Sequence, residues 1–420
     1  MTLAYRLAKK GFNVSVFEKE ETLGGLARIV PFENASIEAY YHHIFNNDVD
    51  VIELIDELNL SDKLVWKFSK MGLFYQGKLY PFGKPMDLFG LDFLSLVDKF
   101  KFGLNIVYLQ RKRTGKKFDG VPASHWLKKY SSKKVFQTVW EPLLKQKFEE
   151  ESSEISMAWF WGKMRTRGAS RRKFGSKEQL GYITGSFGVL IEALKEKIIQ
   201  YGGQIHCNSE VCEFVISNDD VSEIITNKGK TSFDIVINTL PIPVFLGITP
   251  HLPSEYRKKL SAIKYKAVVC LLLELDRPLS DLYWTNISST DFPFGVVVEH
   301  TNCFDDEKYN GKKVIYFSKY LNTDQELYHF SEEHLLNSFL PYITKINPKF
   351  ETSWIRDIKA FRDEYAQPIM KTNYLNILPD FQTPIKNLYL GTIAQIYPED
   401  RGLNYSVRLG NRIANHIIYD

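Results

Sequence analysis

Apolar residues recur at helical spacing in LAYRLAKKG, predicting a short helix over residues 3–11, and then alternate in NVSVFE, predicting a strand that ends on Glu18. A loop carrying Gly24, Gly25 and Arg28 follows. Helix, strand and glycine loop in this order read as the second half of a nucleotide-binding βαβ unit, whose first half is a buried strand and G-x-G-x-x-G. The expectation is therefore a chain lacking that strand and turn. A parallel sheet without a central member exposes ladder groups and apolar area, so low stability and weak dinucleotide binding are expected too.

Further along, DVDVIELIDELNL has a helical period with Asp48 or Asp50 as cap, and GLFYQGKLYPFGKP reads as a hairpin turning at Gln76 and Gly77. Two longer helical stretches follow, LDFLSLVDKFKFGLNIVYLQRKR and SHWLKKYSSKKVFQTVWEPLLKQKF, the second capped by Ser124. From Gly185 the pattern changes to helix, strands and a buried strand DIVINTLP ending on Thr239. Longer strands (AVVCLLLELDRP, FGVVVEH, KKVIYFSKYL, SWIRDIKAF) and one helix (SEEHLLNSFLPYITKI) predict a mixed sheet facing a substrate. The tail supplies a short strand, NLYLGT, a glycine loop and a last helix from about Val407.

Composition narrows this picture. The chain has 420 residues, room for two or three domains, with 44% hydrophobic and 14% aromatic residues. A net charge of +4 gives no global field for nucleic acid. The four cysteines show no C-x-x-C and no metal spacing, which predicts free buried thiols, a reducing compartment and no metal site. No signal peptide and no spanning segment is seen, so a cytoplasmic protein is expected, with peripheral membrane contact left open.

VFEKEETLGGLAR, GYITGSFGVLIEAL, SEVCEFV, DIVINTLP, EYAQPI and LYLGTIAQIYPEDRGLNYSVRLGNRIA occur in this order along nearly the whole chain. Together they resemble the FAD-dependent amine oxidase and protoporphyrinogen oxidase superfamily, with features of UDP-galactopyranose mutases. The resemblance implies an α/β fold: a Rossmann-like FAD-binding domain, N-terminally truncated here, with an inserted mixed-sheet substrate domain and a helical region. Residues 1–45, 181–250 and 381–420 would form the FAD-binding domain, 46–180 the helical region and 251–380 the mixed sheet.

Glu18 at a strand end can accept two ribose hydroxyls, and Gly24, Gly25 and Arg28 can approach and pair with a pyrophosphate. By resemblance Val211 would hold the adenine through its backbone. Gly391, Gly402, Leu403 and Asn404 would bring the final turn over the flavin, where a helix N-terminus offers unpaired N–H groups. Thr392 stands where many family members carry Asp.

YYHHIFNN contains His43-Ile44-Phe45, similar to a mutase stretch in which the His lies by flavin and substrate. Adjacent residues of an extended segment face opposite sides, so at most one of His42 and His43 should face a site; a structural role for His43 stays equally open. WFWGKMRTRGASRRKFG gathers Arg165, Arg167 and Arg171 among aromatics. It is either a solvated basic face or a grip on a phosphorylated small molecule, a sugar nucleotide of polysaccharide biosynthesis or a polyprenyl-linked substrate.

The expected activity is FAD-dependent oxidation. KAVVCLLLEL places only apolar residues where several amine oxidases carry a lysine near the flavin, favouring a carbon skeleton over an amine. Two alternatives remain: a mutase-like, flavin-dependent isomerase, and a fragment or pseudoenzyme without FAD.

Overall fold

The computed structural model describes residues 1–170, 178–305 and 307–419. Its largest element is a seven-stranded mixed sheet in the order Ile355–Pro368, Tyr265–Leu275, Lys313–Leu321, Val296–Glu299, Trp284–Ile287, Met71–Tyr75 and Lys78–Pro81. The strand Tyr265–Leu275 is nearly all apolar because it is covered on both faces. Val268, Cys270 and Leu272 pack toward the N-terminal segments. Val269, Leu271, Leu273 and Leu275 pack toward the helix Glu332–Ile346, whose first turn is capped by Ser331.

The hairpin turns at Gln76 and Gly77, both at positive φ, and its first strand runs parallel to Trp284–Ile287. The mixed sheet thus takes its last two strands from the hairpin within residues 46–180, the part of the chain read as helical and substrate-side. Two shorter parallel pairs stand apart from it: Ser15–Phe17 with Gln204–His206, and Val236–Asn238 with Leu388–Leu390. Among the described residues no strand joins one pair to the other.

The N-terminal helix Thr2–Lys9 buries Leu3, Ala4, Tyr5, Leu7 and Ala8. It crosses the final helix at Gly410, where an added Cβ would lie 3.2 Å from Leu3 N. That final helix spans Leu403–Tyr419, starting four residues before the expected Val407, immediately after Gly402.

Other boundaries shift for local reasons. The helix expected from Leu91 starts at Leu96, because Ser95 and Asp98 form a reciprocal cap. Ser124 is not a cap: the cap falls on Pro122, and the Ser124 hydroxyl donates to the Ser153 carbonyl. The stretch breaks at Ser131–Ser132 and resumes through Phe136–Trp140 into Glu141–Phe148. Of the four free cysteines only Cys270 is buried; Cys212 is exposed at a bulge in the strand Val211–Ser217.

Candidate functional site

A cavity of about 2640 Å³ runs between the parallel pairs, the helix Met157–Ala169 and one side of the mixed sheet. Typical single-ligand pockets hold about 300–1,000 Å³, so this one has room for a dinucleotide and a substrate together. Glu18, Gly24, Gly25, Arg28, Val211, Gly391, Gly402, Leu403 and Asn404 all line it.

Gly24 and Gly25 have φ of +119° and +55°, so the chain bends where side chains are disfavoured. A Cβ on Gly24 would meet Ile191 Cδ1 at 2.8 Å and the Arg28 backbone at 3.1 Å. The Arg28 guanidinium lies 5.1 Å from the centre of the Tyr40 ring and reaches the Tyr40 hydroxyl at 3.3 Å. A bulge after Val211 interrupts the strand ladder there. Thr392 caps the turn Ile393–Ile396, its Oγ1 accepting from Ala394 N and its N–H donating to Gln395. The Asn404 side-chain Oδ1 accepts from Val51 N at 3.1 Å, in the first turn of the helix Val49–Glu57. Asn404 can therefore face a ligand through its backbone rather than through that oxygen.

Next to Gly402 in the same cavity a polar cluster is built around Asp400. Lys147 Nζ approaches the carboxylate at 2.8 and 3.0 Å and Lys163 Nζ at 3.2 Å. Trp159 Nε1 and Arg401 N each donate to it at 3.1 Å. The ammonium groups beside Asp400 hold its carboxyl well below the usual range. Burial, helped by the neighbouring Lys147 charge, brings Lys163 down to about 8, and burial also lowers Lys147. Arg401 pairs with the Tyr320 hydroxyl.

Trp159, Phe160, Lys163 and Arg167 share one side of the helix Met157–Ala169, three or four residues apart, and line the cavity. The solvated-face reading therefore fails for Lys163 and Arg167. It holds for Arg165, which lies over Trp161 at 5.3 Å and donates to the Arg113 carbonyl outside the cavity. Arg171 lies outside the described residues.

His42 and His43 both line the cavity, contrary to the alternation rule. The rule requires a regular strand, and here the strand covers only Ile44–Phe45. His43 Nδ1 lies 3.1 Å from the Tyr283 hydroxyl, and His42 Nδ1 lies 2.6 Å from the Tyr40 carbonyl. Desolvation lowers His43 to about 3 and His42 to about 4, with Arg167 and Arg401 adding repulsion respectively. Burial therefore keeps both rings neutral at physiological pH.

Lys266, in the strand Tyr265–Leu275, does not reach the cavity. It is fully buried, with Nζ 2.8 Å from Glu149, 2.9 Å from Glu151 and 2.7 Å from the Asn322 side-chain oxygen. The cavity residues that sequence reasoning missed are Lys147, Asp400, Arg401, Tyr41 and Tyr320. A signal was present for two of them, in YPEDRG, where Asp and Arg sit side by side ahead of a helix-starting glycine.

A glycine loop, a strand-end carboxylate and two parallel strand pairs around one large cavity define a protein that holds a dinucleotide cofactor. Residues 1–398 match the model of the flavin containing amine oxidoreductases, and the chain belongs to that family. A curated relative, a 15-cis-phytoene desaturase from Synechococcus elongatus, is 24% identical over 313 residues. That match covers 67% of this chain and 64% of the relative, so the chain spans less than two thirds of its length.

Two solved structures share the fold. A protein assigned as a protoporphyrinogen oxidase from Exiguobacterium sp. 255-15 has a TM-score of 0.77 at 16% identity, covering 99% of this chain and 96% of that one. A reduced UDP-galactopyranose mutase has a TM-score of 0.77 at 14% identity, covering 99% and 92%.

The family's cofactor is FAD, and the residues present fit it: a Cβ on Gly25 would point into open space, Gly24 packs too closely for a side chain, and Glu18 and the start of the Leu403 helix line the same cavity. Gly24→Ala is expected to weaken FAD binding at least tenfold, because the loop must move away from both Ile191 and Arg28. Titrating the protein with FAD and following flavin fluorescence checks this; an unchanged affinity would remove the loop from the cofactor site.

Proposed function

We propose that the protein is an FAD-dependent oxidoreductase acting on the carbon skeleton of an anionic substrate, a phosphorylated polyprenyl-type or sugar compound. The carrying observation is a group of cations in the cavity wall: Lys147 and Lys163 pair with the Asp400 carboxylate, Arg401 follows it in the chain, and Arg167 lies over the Trp284 ring. Among the described residues neither Arg167 nor Arg401 has an ion pair within 4.0 Å, and guanidinium forks pair bidentately with phosphate. The aromatic wall of Tyr41, Trp159, Trp284 and Tyr320 offers the apolar contact a carbon skeleton needs. The name of the desaturase relative supports oxidation at carbon.

Bound FAD supplies a two-electron acceptor; the chain supplies position, charge and exclusion of water. Arg167 and Arg401 hold the anion. Lys163 Nζ, at about 8, is the group in this wall that gains or loses a proton nearest neutral pH. The nucleotide half of this reading is a sheet of Rossmann type, supported by the two parallel pairs and by Val14, Val16 and Val236 lining the cavity between them.

Isoprenoid diphosphates are expected to bleach the flavin of the FAD-loaded protein at least tenfold more efficiently than the corresponding alcohols, and Arg167→Gln should abolish that preference. Stopped-flow absorbance under anaerobic conditions reads both. Equal rates for alcohol and diphosphate would overturn the anionic reading.

An isomerase of the mutase type is the second reading. It is favoured by His43 lying in the cavity wall within the electrostatic reach of Arg167. Conversion of a UDP-sugar by the reduced protein without net change of flavin redox state would select it.

A further inference from the structure

The helix Leu96–Arg111 carries more apolar surface than the fold covers. Phe102 and Leu109 are buried and Gly103 and Ile106 border the cavity, yet Leu96, Phe100, Leu104 and Tyr108 point outward. Their spacing of four makes one stripe along the helix. Leu96 is 74% exposed and Phe100 67%. The turn Pro85–Gly90 extends the stripe with Met86, 70% exposed, and Phe89, 62% exposed. Single exposed apolar residues are ordinary; a continuous row is the mark of an interaction surface.

Charge identifies the partner. From Pro85 to Trp140, the span that holds both elements, the sequence has eleven lysines and arginines and four acids, within a chain whose net charge is only +4. Asp92 is paired with Lys78, and Asp87 and Asp98 accept from the backbone at Lys84 and Ser95. Asp119 is buried and accepts from the Tyr397 hydroxyl, so it does not offset the cations at the surface. Lys101, Arg111, Lys116 and Lys117 are exposed. An apolar row rimmed by cations matches an anionic bilayer, with side chains in the acyl boundary and ammonium and guanidinium groups at the headgroups. A second copy of this chain fits poorly, because a two-fold contact would set these cations against themselves.

We propose that the helix Leu96–Arg111 and the turn Pro85–Gly90 form a peripheral docking surface for an anionic lipid bilayer. Leu88 and Ile106, from the same two elements, line the cavity, so docking brings the cavity rim to the lipid surface. The proposal goes beyond the oxidoreductase reading and does not rest on it.

The test is sedimentation of the full chain with phosphatidylcholine vesicles, with and without phosphatidylglycerol, at about 0.05 M and about 0.5 M salt. Binding is expected only with phosphatidylglycerol and is expected to be lost at the higher salt. Leu96→Ser with Phe100→Ser should reduce partition at least tenfold, and Lys101→Gln with Arg111→Gln about fivefold per charge, with unchanged thermal unfolding. No substrate or flavin enters the assay, so its failure leaves the proposed activity standing. Absence of binding, equal binding to both vesicle types, or a wild-type dimer that the serine variant dissociates would overturn the proposal.

Discussion

Asp400→Asn is expected to lower stability by about 2–3 kcal/mol at neutral pH, read as a lower urea midpoint with an unchanged slope. The substitution leaves Lys147 and Lys163, 2.8 and 3.2 Å from the carboxylate, without a counter-ion in a wall of Trp159 and Tyr320. Unpairing a buried ion costs about 3–5 kcal/mol. The lower figure is expected here because the Asp400 side chain keeps 19% exposure toward the cavity. Replacing Lys147 and Lys163 by Met together with Asp400→Asn should recover most of the loss, since neither ammonium is then left without the carboxylate. A loss below about 1 kcal/mol in the single variant would show that water in the cavity solvates these groups fully.

The second large effect is a steep acid limb. Burial raises Glu38 and Glu299 from 4.5 to about 7 and Asp48 from 3.8 to about 6. It lowers His42 from 6.5 to about 4 and His43 and His300 from 6.5 to about 3. A carboxyl raised in the fold takes up a proton on folding, so its contribution falls as pH rises between the unfolded and folded values. An imidazole lowered in the fold gives one up, so its contribution rises with pH across its own window.

Between 4.5 and 6 the three acids oppose the three histidines, and stability changes little. Below 4.5 Glu38 and Glu299 are protonated in both states and no longer oppose. Glu57, lowered to about 2 by its Arg6, Lys9 and Tyr5 partners against the cost of burial, then adds to the histidines. At two or more protons the expected slope is about 3 kcal/mol per pH unit. Urea midpoints measured across this range check it.

His300→Phe should flatten the limb by about 1.4 kcal/mol per pH unit. His300 sits among the rings of Tyr182, Phe304 and Tyr309, and its Nε2 has no partner among the described residues, so a phenyl ring suits the place. An unchanged limb would remove His300 from the acid sensitivity and leave it to His42, His43 and Glu57.

What the sequence disclosed was what is local. The Gly24–Gly25 loop, the strand end at Glu18 and the Gly402 turn are read from neighbours a few residues away, and all three reach one cavity. The Asp400 cluster is not local: Lys147 and Asp400 meet only because the helices Glu141–Phe148 and Met157–Ala169 fold onto the tail. Helical spacing could have separated Arg165 from Arg167, since two residues on a helix diverge in direction, but a list of basic residues could not. The His42–His43 expectation failed because alternation was applied where the backbone is not a strand. The hairpin was legible from Gln76 and Gly77; its sheet was not, because its parallel partner is supplied by Trp284–Ile287.

That partnership has a cost during synthesis. Met71 pairs with Trp284 and Phe74 with Ile287, so the hairpin leaves the ribosome long before the strand that covers its edge. At about 5–20 residues per second the wait is roughly 10–40 s. Throughout it the nascent chain presents an apolar edge built from Leu73 and Phe74. Yield of this protein on expression should therefore follow the availability of chaperones that hold an emerging chain, more than the stability of the finished fold.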